Sequence, residues 1–128
     1  ALETALAYAK DRLQFGAPIA ARQLIQERLV DALGLITASI TLCVRVSQLD
    51  DDDAQRDEHS ALAKAVATGN MRQVVALARE VCGGNGIVAD YGVGRFFADA
   101  EAIYSYEGTR EMNTLIVGRS ITGHAAFV

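Results

Sequence analysis

An all-α fold, an antiparallel four-helix bundle, is what this sequence predicts, and three observations predict it. Apolar residues recur at helical spacing over most of the chain, a single proline (Pro18) interrupts them, and the one β-leaning run, Ile103-Tyr104-Ser105-Tyr106, is too short to build a sheet. The 128 residues, 51% of them hydrophobic, suffice for one compact core. A net charge of −4 with no basic stripe argues against nucleic acid as a partner. No apolar run reads as long enough to span a bilayer and no signal peptide opens the chain, so membrane insertion is not expected.

The elements follow in order. Leu2, Leu6, Ala9 and Leu13 step by four, three and four and mark one face of a first helix. Gly16 is expected to cap that helix and Pro18 to open the next. From Ile19 to about Leu49, the stripe Ile25, Leu29, Leu33, Ile36, Ile40 and Val44 marks a second helix roughly 45 Å long. Asp50 to Asp53 read as a solvated acidic turn, since a calcium loop needs further ligands at defined spacing. A third helix, from about Gln55 to Val81, carries Ala61, Ala63, Ala65, Ala67, Ala76 and Ala78, which suit both helix propensity and close packing. Gly83 to Gly86 end it. A short helix over Asp90 to Glu101 and a last one from about Thr109 toward Ala125 complete the bundle. The helical pattern is already running at Ala1, so the chain reads as a fragment or processed product.

Cys43 and Cys82 both sit among apolar neighbours and form no CxxC, which points to a reducing compartment rather than a disulfide framework. His59 lies in a charged segment and is expected to face solvent. His124 lies near a helix end, where it meets the dipole. No Glu-x-x-His occurs, so the di-metal bundle design is not expected.

Two short signatures concentrate the chemistry. In Tyr104-Ser105-Tyr106-Glu107-Gly108-Thr109, the Glu107 carboxylate falls at a loop end beside a helix N-terminus. Partial burial against the tyrosines raises such a pKa and helix-end amides lower it, so the group can be tuned to take a proton from carbon. Its plainer role is an acid favoured by the macrodipole. Cys82-Gly83-Gly84-Asn85-Gly86 is at the least a helix C-cap and turn, and its glycines let backbone approach a ligand closely. It is not the dinucleotide fingerprint, because no strand precedes it. Arg12 and Phe15, three apart, are expected on one helical face. A guanidinium beside an aromatic suits a pyrophosphate next to a stacked adenine, or is simply a surface Arg over a helix-end Phe.

Taken with Asp11-Arg12-Leu13-Gln14-Phe15-Gly16, these stretches resemble the C-terminal helical domain of the acyl-CoA dehydrogenase family over essentially the whole chain. Gln23-Leu24-Ile25-Gln26, and Leu115 to Gly123 followed by Ala126-Phe127, resemble its glutaryl-CoA dehydrogenase branch. The resemblance implies that residues 1–128 form that domain without the N-terminal helical and middle β-domains. It implies FAD as cofactor and Glu107 as the base that removes the acyl α-proton, while hydride leaves the β-carbon for the flavin. The backbone N–H of Glu107 is then a donor to the thioester oxygen, Tyr106 and Gly108 border the acyl chain, and the Thr109 hydroxyl reaches the cofactor. Arg12, Phe15, Gln23, Glu80, Val81, Cys82, Gly83, Gly84 and Phe127 become cofactor contacts, the glycine cluster touching the FAD of a neighbouring subunit. Many relatives have Gln where this chain has Glu80, so the backbone there is the expected contact. The implied reaction converts glutaryl-CoA to crotonyl-CoA and passes electrons to an electron-transfer flavoprotein, in a homodimer or homotetramer. The expected compartment is the cytoplasm in a bacterium or the mitochondrial matrix in a eukaryote. Another short-chain acyl-CoA dehydrogenase or oxidase, or an inactive helical oligomerisation module, are the alternatives.

Overall fold

The computed structural model describes residues 1–126, and among them five α-helices account for most of the chain. Phe127, expected at the cofactor, lies outside the described residues. Helix α1 runs Leu2–Asp11 and buries Ala5 and Ala9. It is followed by a two-residue antiparallel hairpin, β1 Leu13–Gln14 with β2 Ala17–Pro18. The hairpin corrects the expected role of Gly16. Both central residues of its turn have positive φ (Phe15 52°, Gly16 77°), the primed geometry that matches strand twist, so Gly16 closes a turn and does not cap α1. Pro18 accordingly ends β2 and precedes a single 3-10 turn, Ile19–Ala21.

Helix α2 spans Gln23–Asp51 and doubles back through residues 52–56 into α3, Asp57–Cys82. Arg28 with Glu80 (2.9 Å) and Ser39 with Asn70 (3.1 Å) fix the antiparallel register of this pair from one end toward the middle. Helices α4, Val93–Ser105, and α5, Arg110–Thr122, complete the fold. Helices α1, α2, α4 and α5 all pack on α3, which is the hub of the bundle. The alanines expected to allow close packing do so at Ala61, Ala63 and Ala78, each buried on α3. A buried cluster joins Ala5, Ala9, Ile19, Ala78, Val81, Cys82 and Val93.

The apolar stripe expected on α2 is only partly the packed one. Ile25, Leu29 and Ile36 are half-buried, but Leu33, Ile40 and Val44 face outward, each at least half exposed. The packed line instead takes in Ala32, Leu35, Ser39, Leu42, Val46 and Leu49. Helix α2 is therefore apolar on two sides and buries one. It also overturns the reading that no apolar run is of membrane-spanning length: an 18-residue window within α2 has a mean hydropathy of 1.8. Interspersed Gly, Ser and Thr hide that run in the sequence while adding little polarity. The β-leaning Ile103–Ser105 is the last turn of α4, because docking on α3 outweighs local strand preference. His59, expected in solvent, is half-buried, and its Nδ1 accepts the Arg56 backbone N–H at 3.1 Å, tying down the start of α3.

Candidate functional site

The residues singled out from the sequence gather at two places. The first is a groove of about 430 Å³ between the end of α1, the hairpin and the end of α3. Arg12, Phe15, Glu80, Val81, Cys82, Gly83 and Gly84 all line it. Gln23 does not: it is exposed on the first turn of α2. Arg12 and Phe15 meet there for a reason other than the helical spacing expected. Helix α1 ends at Asp11, Arg12 is extended, and Phe15 sits on the hairpin turn, 94% exposed.

The guanidinium nearest that ring belongs to Arg22, which sequence reasoning missed. Its carbon lies 6.0 Å from the Phe15 ring centre, and one nitrogen donates to the Gln14 and Phe15 carbonyls at 3.0 and 3.1 Å. Arg22 thus fixes the hairpin and places a second cation on the groove. A Phe-Gly pair flanked by short apolar and polar residues was the available signal, read there as a helix end.

The glycine turn forms the opposite wall. Gly83 ends α3 with φ 57° and ψ −135°, a conformation that side chains oppose. Gly83 and Gly84 are exposed, and a Cβ on either meets no atom within 4 Å, so both leave free space above the backbone. Gly86 is different: a Cβ there comes within 2.6 Å of the Arg79 carbonyl oxygen. Asn85 donates to the Tyr8 hydroxyl at 3.0 Å, and Tyr8 meets Tyr91 edge-on, which anchors the turn to α1. Val81 and Cys82 border the groove and are otherwise buried. Burial pushes the Cys82 thiol pKa up. A maleimide applied to the native protein is expected to label exposed Cys43 quickly and Cys82 only after unfolding; mass spectrometry of the labelled peptides checks this. The Glu80 side chain is engaged by Arg28 on α2, which leaves its backbone as the expected contact.

The second place is the turn between α4 and α5. Tyr106 is extended, Glu107 has φ 58° and Gly108 φ 85°. Two consecutive left-handed residues reverse the chain and lift Glu107 clear of both helices. For a residue with a Cβ this conformation costs roughly 1–2 kcal/mol. Strain of this kind persists where the surroundings impose it. They do so here: Lys64 Nζ on α3 donates to the Tyr104 and Gly108 carbonyls at 3.3 and 3.2 Å. Asn113, buried on α5, donates to the Gly108 and Thr109 carbonyls at 3.0 Å each. Neither residue was found from the sequence, because a lysine in an alanine-rich helix and an asparagine in a helix of mixed polar and apolar residues leave no local signature.

Glu107 itself is exposed, so the burial expected against the tyrosines is absent. Tyr106 is exposed too, and Tyr104 is taken by Arg72, whose guanidinium stands 4.3 Å from the ring centre and pairs with Glu101 at 2.6 Å. The Glu107 backbone N–H has no backbone acceptor among the described residues. Thr109 is the N-cap of α5, its Oγ1 accepting the Met112 N–H at 3.3 Å, which leaves the hydroxyl proton to donate outward. Thr109→Ala is expected to cost about 1 kcal/mol of stability, measurable by urea unfolding.

The two places are far apart. Lys64 marks the Glu107 end of α3, and Glu80 lies about 24 Å further along that helix at 1.5 Å per residue. The groove and the Glu107 carboxylate therefore lie well apart along the same hub.

Comparison with known proteins gives this geometry a family. The profile of the acyl-CoA dehydrogenase C-terminal domain matches residues 1–122. A probable acyl-CoA dehydrogenase of Bacillus subtilis, YngJ, is 34% identical over 121 residues, covering 94% of this chain and 32% of that protein. Two solved structures of glutaryl-CoA dehydrogenase from Mycobacterium smegmatis, the second in complex with FADH2, superpose with TM-scores of 0.94 at 37% and 31% identity. Both cover 99% of this chain and 33% of theirs. The chain thus spans about a third of the length of these relatives. With its helical order, its glycine turn and its Tyr-Glu-Gly-Thr loop in place, the chain belongs to the acyl-CoA dehydrogenase family, as the C-terminal domain.

Proposed function

We propose that this chain is the catalytic C-terminal domain of an FAD-dependent dehydrogenase that acts between Cα and Cβ of an acyl-CoA, with glutaryl-CoA as substrate. The observation that carries the reading is Glu107, an accessible carboxylate held on a left-handed turn at the head of α5. The far groove suits FAD. Gly83 and Gly84 leave space that a Cβ would fill, Arg12 and Arg22 supply positive charge for a pyrophosphate, and the exposed Phe15 ring offers a stacking face for adenine.

Bound FAD supplies the acceptor for the hydride that leaves Cβ. Glu107 removes the α-proton, and its own backbone N–H donates to the thioester oxygen as negative charge builds there. Gly108, having no side chain, lets the acyl chain pass beside the backbone, and Tyr106 borders it. The Thr109 hydroxyl donates toward the cofactor. With glutaryl-CoA, the C–C bond to the distal carboxylate then breaks, its electron pair stays on the carbon skeleton and CO₂ leaves. Protonation of that skeleton by Glu107 gives crotonyl-CoA. Electrons pass onward to an electron-transfer flavoprotein.

The separation of the two ends of α3 supports a site shared between chains, each glycine turn serving a neighbour's FAD within a homodimer or homotetramer. The outward apolar side of α2 supports the same assembly. The closing segment Leu115 to Gly123 favours the glutaryl-CoA branch, while 34% identity to an acyl-CoA dehydrogenase of unstated chain length leaves other short acyl groups as the runner-up. That same apolar side favours a second reading, an oligomerisation module without activity.

The test is the visible spectrum of the enzyme that contains this domain, with FAD, followed anaerobically after addition of glutaryl-CoA or butyryl-CoA, since the isolated domain is not expected to turn over. Bleaching by glutaryl-CoA with release of CO₂ is expected. Bleaching by butyryl-CoA alone moves the substrate, and bound FAD that neither thioester bleaches removes the enzyme reading. A colourless preparation that takes up no FAD favours the module.

A further inference from the structure

We propose that Lys64 is a positioning residue for Glu107: its ammonium bridges the two sides of the α4–α5 turn and holds the base in its left-handed conformation. The inference deepens the functional reading above and rests on it. Nζ reaches the Tyr104 carbonyl before Glu107 and the Gly108 carbonyl after it, at 3.3 and 3.2 Å. The Tyr104 carbonyl belongs to the open end of α4, where a cation is favoured by the dipole. The Gly108 carbonyl does not belong to α4, so end-capping accounts for only one of the two bonds.

What else Lys64 does narrows its role. The ion pairs among the described residues join Arg28 to Glu80, Arg56 to Glu58 and Arg72 to Glu101; none includes Lys64. It is half-buried on α3, in a stretch whose neighbours Ala61, Ala63 and Thr68 are buried. Its charge is directed at the turn's carbonyls. Asn113 completes the clamp by donating to the Gly108 and Thr109 carbonyls, so the Gly108 oxygen receives two donors. A Cβ at Gly108 would sit 3.3 Å from Asn113 Nδ2, which shows how closely the turn is held from that side too. With Nζ removed, the Glu107 backbone is tethered on one side only and can relax toward right-handed φ, swinging the carboxylate away from its place above α5.

The experiment compares Lys64→Met, Lys64→Arg and Glu107→Gln in the FAD-loaded enzyme that contains this domain. The readouts are exchange of the glutaryl-CoA α-hydrogen with deuterated solvent, kcat, KM, FAD content and thermal melting. Lys64→Met keeps the aliphatic stem and is expected to slow α-exchange and kcat together by about tenfold or more, with KM and FAD content nearly unchanged. Lys64→Arg, which still donates to two carbonyls, is expected to recover most of the rate. Wild-type exchange in Lys64→Met overturns the inference. So does a pair of variants that both melt early and lose FAD, since Lys64 then serves the fold alone. If Glu107→Gln still exchanges the α-hydrogen, the base assignment itself falls, and the clamp falls with it as a catalytic device.

Discussion

Glu107→Gln in the FAD-loaded enzyme is expected to lower the rate of flavin reduction by acyl-CoA about 10²–10⁴-fold while FAD remains bound. The substitution keeps the shape and reach of the side chain and removes only its capacity to take a proton. The Glu107 backbone N–H and the clamp from Lys64 and Asn113 stay in place, so the thioester still finds its donor. FAD retention is expected because the substitution leaves untouched the groove lined by Arg12, Phe15 and the glycine turn, and the Thr109 hydroxyl, which are the groups proposed to hold the cofactor. Rapid-mixing absorbance in the flavin band reads the rate, and the ratio of flavin to protein reads the binding. Reduction at an unchanged rate would exclude Glu107 as the base.

Gly86→Ala is expected to destabilise the domain by about 1–3 kcal/mol, the usual range for forcing a methyl group into a filled space. The added Cβ lies 2.6 Å from the Arg79 carbonyl oxygen and 3.1 Å from the Arg79 Cα. These are backbone atoms of the last turns of α3, so no rotamer change relieves the clash and the glycine turn itself has to move. Gly84→Ala is the control, for its Cβ meets nothing within 4 Å and its φ is not positive. It is expected to leave stability within about 0.5 kcal/mol of the parent but to intrude on the FAD groove. Thermal melts of the two variants, followed by FAD titration, separate a turn that is tightly packed from one that is merely open. Equal melting temperatures would mean that the close approach at Gly86 carries no energy.

These two glycines show what was legible in the sequence. The helices could be read because apolar spacing and alanine content are local and periodic, and because Gly83 to Gly86 interrupt them visibly. The hairpin at Phe15 could not, since two residues per strand carry no period and the primed turn uses Phe where the usual signal is Asn or Asp. On α2, Leu33, Ile40 and Val44 look as apolar as the residues that pack. Only the position of α3 decides between two apolar faces on one helix. Seven of the residues singled out in the sequence line one groove, but Arg12 and Phe15 had been placed together by a helix that ends before either of them. Lys64 and Arg22 were missed because each acts on backbone carbonyls supplied by a different element, and Asn113 because its i−4 and i−5 acceptors are carbonyls that every sequence offers. Contacts of that kind leave no spacing rule in the chain.

Because every other helix rests on α3, that helix acts as a ruler with a functional mark at each end. Removing one residue from its middle would turn the Glu80 end by about 100° relative to the Lys64 end and shorten the gap by about 1.5 Å. Removing seven would nearly restore the phase but bring the ends closer by about 10 Å. Neither change can be absorbed by a side chain. Length variation among proteins built on this plan should therefore collect in the 52–56 connection and the 87–92 segment, and the interval from Lys64 to the glycine turn should stay constant in residue count.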